Sequence, residues 1–169
     1  MKGLFVGRFQ PFHNGHLQVL KQILKDVEKL IIGIGSAQYG FTKDNPFTTE
    51  EREEMILRTL SKEGLKNFEI VPIPDVNDDN IWVAHVEGIV PEYDVVFSNN
   101  SLVKTLFTNA GKEVKTFSFF KREEYSGTEI RRRILAGEEW ENLVPKTVLD
   151  FMKEAGGAER INDLDKKSG

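Results

Sequence analysis

Residues 7–16 read GRFQPFHNGH, and the fold that we expect follows from this stretch. A short apolar run at residues 3–7 comes before it and predicts a strand. Two of the chain's three histidines, His13 and His16, lie three residues apart within it. Asn14 is a good N-cap residue for a helix that would follow. The stretch therefore predicts a strand that ends and a helix that begins, with two imidazoles at the helix N-terminus.

This junction has the chemistry of a phosphate site. The N–H groups at a helix N-terminus favour an anion, and His13, His16 and Arg8 add donors at the same place. Gly7 lets the backbone approach a ligand closely. The alternative is that the two histidines only cap and pack the helix. A metal site at the histidines lacks a nearby carboxylate as third ligand.

The bulk composition excludes several classes of protein. The net charge of −4 gives no electrostatic case for nucleic acid or an anionic membrane as partner. The absence of cysteine excludes disulfides, thiolate metal sites and a cysteine nucleophile. No apolar run approaches the roughly 20 residues of a membrane helix. We therefore expect a soluble, cytoplasmic protein.

The apolar pattern predicts alternating strands and helices. Strand-like runs occupy residues 3–7, 29–35, 68–73, 93–98 and 113–118. Helical patterns occupy residues 17–27, 48–60, 81–90, 101–109, 127–136 and 145–155. The strand runs are continuous rather than alternating, as in strands covered on both faces. This order predicts an α/β fold: a Rossmann-like open, mainly parallel five-stranded sheet with helices on both faces and a C-terminal helical segment.

The length predicts a single domain over residues 1–155, with a core at 1–120 and C-terminal helices at 127–155. Residues 156–169 are rich in Gly, Asp and Lys, and we expect them to fray. In open α/β sheets, ligands bind beyond the carboxyl ends of the strands. Each loop that follows a strand is therefore a candidate for the site.

A late motif, SGTEIR at residues 126–131, predicts a second helix start. Its S-x-x-E pattern is also a capping box, so a purely structural role stays open. Thr128 and Arg131 are three residues apart and share one face of the predicted helix. Arg132 and Arg133 point elsewhere, and Arg133 can pair with Glu129. Of the three arginines, Arg131 is therefore the candidate for a residue of the site.

Two other stretches, residues 33–38 and the segment around Trp82, allow more than one interpretation. GIGSAQ at residues 33–38 has Gln38 where a dinucleotide-binding fingerprint needs its third glycine, so we reject a Rossmann dehydrogenase. The P-loop pattern is absent as well. Trp82 opens a helix after an acidic loop, so it fits either core packing or stacking on a ligand ring. His85, one turn later, is interpreted as a packed or surface residue.

The chain resembles a known family. HNGH matches the HxGH signature of the nucleotidyltransferase superfamily, and GRFQPFHNGHL is similar to the archaeal-type nicotinamide-nucleotide adenylyltransferases. The similarity continues through IGIGSAQ, NPFTTEER, NIWVAHV and YSGTEIRRRI. It implies transfer of the adenylyl group of ATP to nicotinamide mononucleotide (NMN), giving NAD and pyrophosphate. It also implies Mg²⁺ or another divalent cation, held mainly by substrate phosphates, and a homo-oligomer, often a hexamer.

The resemblance implies roles for particular residues. Those expected to be catalytic are Arg8, His13, His16 and Arg131. Those expected to bind ATP are Gly7, Arg8, Phe9, His13, His16, Phe120, Ser126, Thr128 and Arg131. Those expected to bind NMN are Ser36, Lys43, Asp75, Ile81 and Trp82. No residue is expected to ligate the metal. Because residues 39–45 offer the NMN phosphate only Lys43 as a cation, Arg52 is the alternative contact.

An adenylyl transfer of this kind needs positioning more than covalent help. The acceptor phosphate has a second pKa of about 6, so it is mostly dianionic at neutral pH. We therefore expect the histidines to donate hydrogen bonds in one in-line displacement. Two alternatives stay open: a related transferase that uses another acceptor, such as pantetheine phosphate or FMN, and a nucleotide sensor without turnover.

Overall fold

The computed structural model describes residues 1–119 and 121–168. The strands are β1 (Lys2–Gly7), β2 (Lys29–Ile34), β3 (Phe68–Pro72), β4 (Val95–Phe97) and β5 (Glu113–Lys115). The α-helices are α1 (Asn14–Asp26), α2 (Thr49–Lys62), α3 (Asp79–Glu87), α4 (Ser101–Asn109), α5 (Gly127–Ala136), α6 (Lys146–Ala155) and α7 (Gly157–Ser168). A 3-10 helix occupies Glu141–Leu143.

All strand pairs in the sheet are parallel, and the order is β3-β2-β1-β4-β5. The central strand β1 pairs with β2 on one side and β4 on the other, so Gly3 lies opposite both Leu30 and Val95. The strand order reverses between β1 and β4, which is where open α/β sheets bind ligands. The predicted fold class is confirmed.

The chain forms two compact units that interleave along the sequence. The sheet unit consists of Met1–Arg8, Val19–Ala37 and Lys66–Ser118. The helical unit consists of Phe9–Gln18, Gln38–Leu65 and the chain from residue 119 onward. The assignment of residues 1–155 to a single domain stays a prediction. No helix in the described ranges is long and apolar enough to cross a membrane.

One core cluster of the sheet unit lies between the strands and the helices α3 and α4. Leu4 and Val96 of the sheet pack with Val86 of α3 and Phe107 of α4, and all four side chains are buried. Apolar burial of this kind contributes about 25 cal/mol per Å². Leu30 and Ile32, on the other face of the sheet, are buried as well, and burial on both faces explains why the strand runs are continuously apolar.

Strands β4 and β5 end before the predicted residues 98 and 118, and a side chain takes the place of the backbone partner beyond their carboxyl ends. The Asn99 amide donates to the carbonyl of Phe117 at 2.8 Å, and its oxygen accepts from the Phe117 N–H at 3.0 Å. The backbone groups of Phe117 are thereby satisfied without a longer strand.

The expectation that residues 156–169 fray is corrected by the structure, in which residues 157–168 form α7. Ile161 on this helix is buried. Arg160 makes two hydrogen bonds to the Glu51 carboxylate, at 2.6 and 2.9 Å, and lies over the Phe41 ring. Burial would raise the pKa of Glu51, but hydrogen bonds from Arg160 and Thr48 hold it below its usual value. These partners are distant in sequence, so local composition does not reveal them.

Candidate active site

The N-terminus of α1 is capped by two histidines that bond to each other's backbone. The N–H of His16 donates to Nδ1 of His13, and the N–H of His13 donates to Nδ1 of His16, both at 3.2 Å. The rings stack with their centroids 3.6 Å apart. A backbone N–H can only donate, so both Nδ1 atoms accept and both imidazoles carry their proton on Nε2.

The N-cap prediction for Asn14 is wrong by one residue. Asn14 is the first helical residue, and the carbonyl of His13 accepts the helical hydrogen bond from the Leu17 N–H. The Asn14 amide instead donates to the carbonyl of Asn142 at 3.0 Å. An imidazole nitrogen replaces the side-chain oxygen that normally serves at an N-cap.

Burial keeps both histidines neutral. Burial lowers the pKa of His13 to about 3. The pKa of His16 lies well below its ordinary value, mainly because the ring is buried and in addition because protonated rings of His13 and His16 would repel each other. The rings of Phe9 and Phe12 lie 4.7 and 5.5 Å from the His16 ring and supply this apolar surrounding. Phe9 itself is 1% exposed. The pair can therefore donate through Nε2 without becoming charged.

Gly15, the glycine between the histidines, allows a close approach. A Cβ atom there would lie 2.8 Å from Cβ of Tyr125 and 3.0 Å from the His13 ring. Real Cβ atoms essentially never approach another carbon as closely as 2.8 Å. Only glycine lets the start of α1 lie against the residues that lead into α5.

Helix α5 begins beside this pair with only part of the predicted capping box. The Ser126 hydroxyl accepts from the N–H of Glu129 at 3.0 Å. The Glu129 carboxylate does not return the bond but pairs with Arg132 at 2.7 Å and Arg133 at 2.8 Å. Hydrogen bonds from these arginines lower the pKa of Glu129 to about 2. The predicted pairing of Arg133 with Glu129 is confirmed, and Thr128 is exposed in the first turn.

Arg131 is brought to the segment that precedes the histidines. Its Nη1 atom donates to the backbone carbonyl of Gln10 at 2.7 Å. The Gln10 side chain pairs with the backbone of Phe47, donating to its carbonyl and accepting from its N–H, each at 2.9 Å. Sequence reasoning missed Gln10. Its only local signal is its position inside the motif, because both partners are distant in sequence.

A second group of predicted residues lies in the sheet unit, beyond the carboxyl ends of its strands. The Ser36 hydroxyl donates to the Asp75 carboxylate at 2.7 Å, which joins the ends of β2 and β3. The N–H of Gly35 donates to the carbonyl of Gly7 at the end of β1, at 2.8 Å. Arg8 follows directly and is exposed. The structure therefore brings Ser36 and Asp75 together at the expected edge of the sheet.

Trp82 has the core contact that the packing interpretation expects, but its ring is only partly buried. It meets the Phe107 ring edge-on, with centroids 5.4 Å apart. Its neighbour Ile81 is 50% exposed. His85 is half-buried and donates from Nε2 to the carbonyl of Pro74 at 2.7 Å, as the interpretation of a packed histidine requires.

The two cations considered for the NMN phosphate have protein partners. Lys43 is exposed and pairs with Asp165 at 3.2 Å. Arg52 is fully buried and donates to the carbonyls of Thr48 and Tyr39, at 3.2 and 3.1 Å. Arg52 therefore fixes the loop before α2. Phe120, expected on the adenine side, lies outside the described residues.

The described residues do not form a metal cage of their own. Among residues 1–119 and 121–168, no group of three or more His, Asp or Glu side chains could hold an ion. Both histidine Nδ1 atoms are already used by backbone donors.

Comparisons with known proteins show the family of the chain. The model of the cytidylyltransferase-like family matches residues 4–133. The nicotinamide-nucleotide adenylyltransferase of Pyrococcus horikoshii is 50% identical over 165 residues, which are 97% of this chain and 89% of that protein. The enzyme of the same name from Thermoplasma acidophilum is 48% identical over 163 residues, 96% of this chain and 91% of that protein.

A solved structure from Francisella tularensis has a similar fold. It is a bifunctional NMN adenylyltransferase/ADP ribose pyrophosphatase complexed with AMP and a manganese ion. The TM-score is 0.76 at 24% identity, and the match covers 96% of this chain and 51% of that one. This chain thus spans about half of the solved protein, and the likeness shows the fold alone.

Proposed function

The chain belongs to the cytidylyltransferase-like family and, among its members, to the nicotinamide-nucleotide adenylyltransferases, and we propose that it transfers the adenylyl group of ATP to NMN, giving NAD and pyrophosphate. The observation that carries this proposal is the pair His13 and His16, which together offer two neutral Nε2–H donors at one helix N-terminus. Arg131, on a second helix start, is held to the same segment of chain through Gln10.

These groups suit a reaction between polyanions. NMN carries its own nucleophile, because a phosphate monoester is mostly dianionic at neutral pH. The leaving pyrophosphate needs no general acid. What the protein supplies is orientation and donors for the charge that develops at the α-phosphorus. The histidines serve as such donors and not as proton shuttles, because each Nδ1 is engaged and burial lowers both pKa values.

The ATP side of the proposal follows from the helix starts. His16 donates to the α-phosphate and His13 to the triphosphate, to which Arg8 also contributes. Ser126, Thr128 and Arg131 bind the β and γ phosphates at the positive end of α5. In the same proposal Gly7 lets the backbone approach the nucleotide, and Phe9 backs the His16 ring.

The NMN side of the proposal uses the strand ends of the sheet unit. The bonded pair Ser36 and Asp75 binds the nucleotide. Trp82 stacks on the nicotinamide ring with its partly exposed face, while the backbone at Ile81 and Trp82 recognises the carboxamide. Lys43 can reach the phosphate only by leaving Asp165.

We propose that a divalent cation, Mg²⁺ or another, arrives with ATP. Magnesium is typically bound by substrate phosphates and water with few protein ligands. When bound it neutralises part of the charge on the leaving pyrophosphate. The cytoplasmic location and the homo-oligomer, with a hexamer suggested by the resemblance, stay predictions.

The test is a pyrophosphate-release assay with ATP, magnesium and a panel of acceptors. The panel contains NMN, nicotinic acid mononucleotide, pantetheine phosphate and FMN. The proposal expects release with NMN. Release only with pantetheine phosphate or FMN would reassign the acceptor, and ATP binding without release on any acceptor would indicate a sensor.

A further inference from the structure

We infer that Gln10 is a positioning residue that orients Arg131 for ATP, an inference that rests on the proposed function. Gln10 is 2% exposed, and three of its polar atoms have partners in the helical unit. Its side chain holds Phe47 and its carbonyl holds Arg131. It touches no atom assigned to a substrate, so its effect on the reaction passes through the arginine.

The two hydrogen bonds of the Gln10 side-chain amide, which we call the amide clamp, fix the direction of the Gln10 backbone carbonyl. Two hydrogen bonds of 2.9 Å join the side-chain amide to the N–H and carbonyl of Phe47. Phe47 is fully buried, and the next residue, Thr48, is the N-cap of α2. The backbone to which Gln10 is clamped is therefore held by a buried side chain and by a capped helix. A carbonyl held in this way gives Nη1 of Arg131 an acceptor in a fixed position.

Gly127 gives independent evidence that the contact is built into the fold. A Cβ atom on Gly127 would lie 2.8 Å from the Gln10 carbonyl oxygen and 2.9 Å from Nη1 of Arg131. An alanine there would push the carbonyl and the guanidinium apart. The chain thus has a glycine at the position where a side chain would break the bond between Gln10 and Arg131.

The test begins with Gln10→Met, which keeps the volume and removes both amide hydrogen bonds. We expect a misoriented Arg131 to lose one hydrogen bond to ATP. The Michaelis constant for ATP should then rise about tenfold, near the lower end of what loss of a hydrogen bond to a charged group costs. The constant for NMN should change less than about twofold. Gln10→Asn should not rescue the loss, because its amide is one methylene too short to reach both atoms of Phe47.

Thr59→Val is a matched control from the same unit. The Thr59 hydroxyl is buried, donates to the carbonyl of Met55 at 2.8 Å and lies 2.7 Å from the Thr147 hydroxyl. This variant also loses two hydrogen bonds at constant volume. It should lower stability to a similar degree and leave both Michaelis constants unchanged.

The decisive measurement is a double-mutant cycle with Arg131→Ala, which isolates coupling between neighbours. If Gln10 acts through Arg131, then in the Arg131→Ala background Gln10→Met should raise the Michaelis constant for ATP by less than about twofold. Equal tenfold rises in both backgrounds would overturn the inference. So would equal rises for ATP and NMN in the single variant.

Two further measurements distinguish a failure of this inference from a failure of the proposed function. Direct titration of ATP binding should give the same pattern of dissociation constants, so the inference can be tested even if NMN is not the acceptor. If Gln10→Met does not fold, Gly127→Ala replaces it in the cycle. An unchanged affinity for ATP in Gly127→Ala would overturn the inference.

Discussion

The Nδ1 atom of His13 lies 3.2 Å from the backbone nitrogen of His16, and the Nδ1 atom of His16 lies 3.2 Å from the backbone nitrogen of His13. The arrangement is a capping box in which two imidazoles replace the hydroxyl and the carboxylate. The same bonds that begin α1 therefore fix the tautomer of both rings. The helix cap, made by the Nδ1 atoms, and the proposed chemistry, carried by the Nε2–H groups, therefore depend on the same two rings.

Replacing His16 by alanine should reduce turnover more than affinity for ATP. Its Nε2–H bond to the α-phosphate should strengthen as charge builds in the transition state. Loss of one such donor typically costs about 10²–10³ in rate. Steady-state kinetics with a separate measurement of ATP binding checks this. Near-normal turnover in the variant would remove His16 from the catalytic set.

Because the alanine variant also loses part of the cap, His16→Asn serves as its control. The asparagine oxygen can still accept from the His13 N–H, so stability should stay closer to that of the parent protein. Turnover should remain low, because the amide cannot reproduce the position of the Nε2 donor. Recovery of turnover together with stability would show that the helix cap, and not the donor, is what the reaction needs.

Stability should fall in acid because of the buried histidines. An unfolded histidine titrates near 6.5, whereas burial lowers the pKa of folded His13 to about 3. Between these values the unfolded chain binds a proton that the folded chain does not, so acid favours unfolding. The free energy of unfolding should drop by up to about 1.4 kcal/mol per pH unit in this window for each such histidine.

Denaturant unfolding of the parent protein and of His13→Asn, between pH 7 and pH 4, measures this contribution. The asparagine can still accept from the His16 N–H but does not titrate. The variant should therefore be less sensitive to acid, and the difference in stability should narrow as the pH falls. Parallel curves would contradict the low pKa of His13.

Trp82→Ala should raise the Michaelis constant for NMN and leave that for ATP nearly unchanged. Stacking of a base on an aromatic side chain is worth about 1–3 kcal/mol, which corresponds to roughly 5- to 150-fold in the constant. Trp82→Phe should recover most of the loss, since a ring remains. The two constants measured for each variant give the result.

Tyr93→Ala is the matched control, because Tyr93 also meets Phe107 edge-on, at 6.3 Å, and is partly buried. Both alanine variants should lose stability through the contact with Phe107. Only the tryptophan variant should change the constant for NMN. An equal effect of both variants on that constant would assign Trp82 to the core alone.

The fold could be predicted because its signals are local. Continuous apolar runs alternate with helical stripes, and that alternation gives a parallel sheet with crossovers. The misses involve partners distant in sequence. Arg160 and Glu51 stabilise a tail that composition alone marks as frayed, and Asn99 shortens a strand pair by bonding to Phe117.

The part of the candidate site that lies in sequence motifs could be predicted. The pattern placed His13 and His16 at a helix start and singled out Arg131 on α5. It could not show that the histidines cap each other, because a hydroxyl or a carboxylate usually fills these positions. Nor could it show Gln10, which bonds to Phe47 and Arg131, 37 and 121 residues away along the chain.

Direct transfer of the adenylyl group to NMN, with the histidines as donors, determines the stereochemistry of the product. The most direct test uses ATP with a phosphorothioate of defined configuration at the α-phosphorus, together with magnesium and NMN. One in-line displacement inverts that centre, whereas two would restore it. We expect a thio-substituted NAD with inverted configuration. A product with retained configuration, or no dinucleotide with NMN while another acceptor is adenylylated, would contradict it.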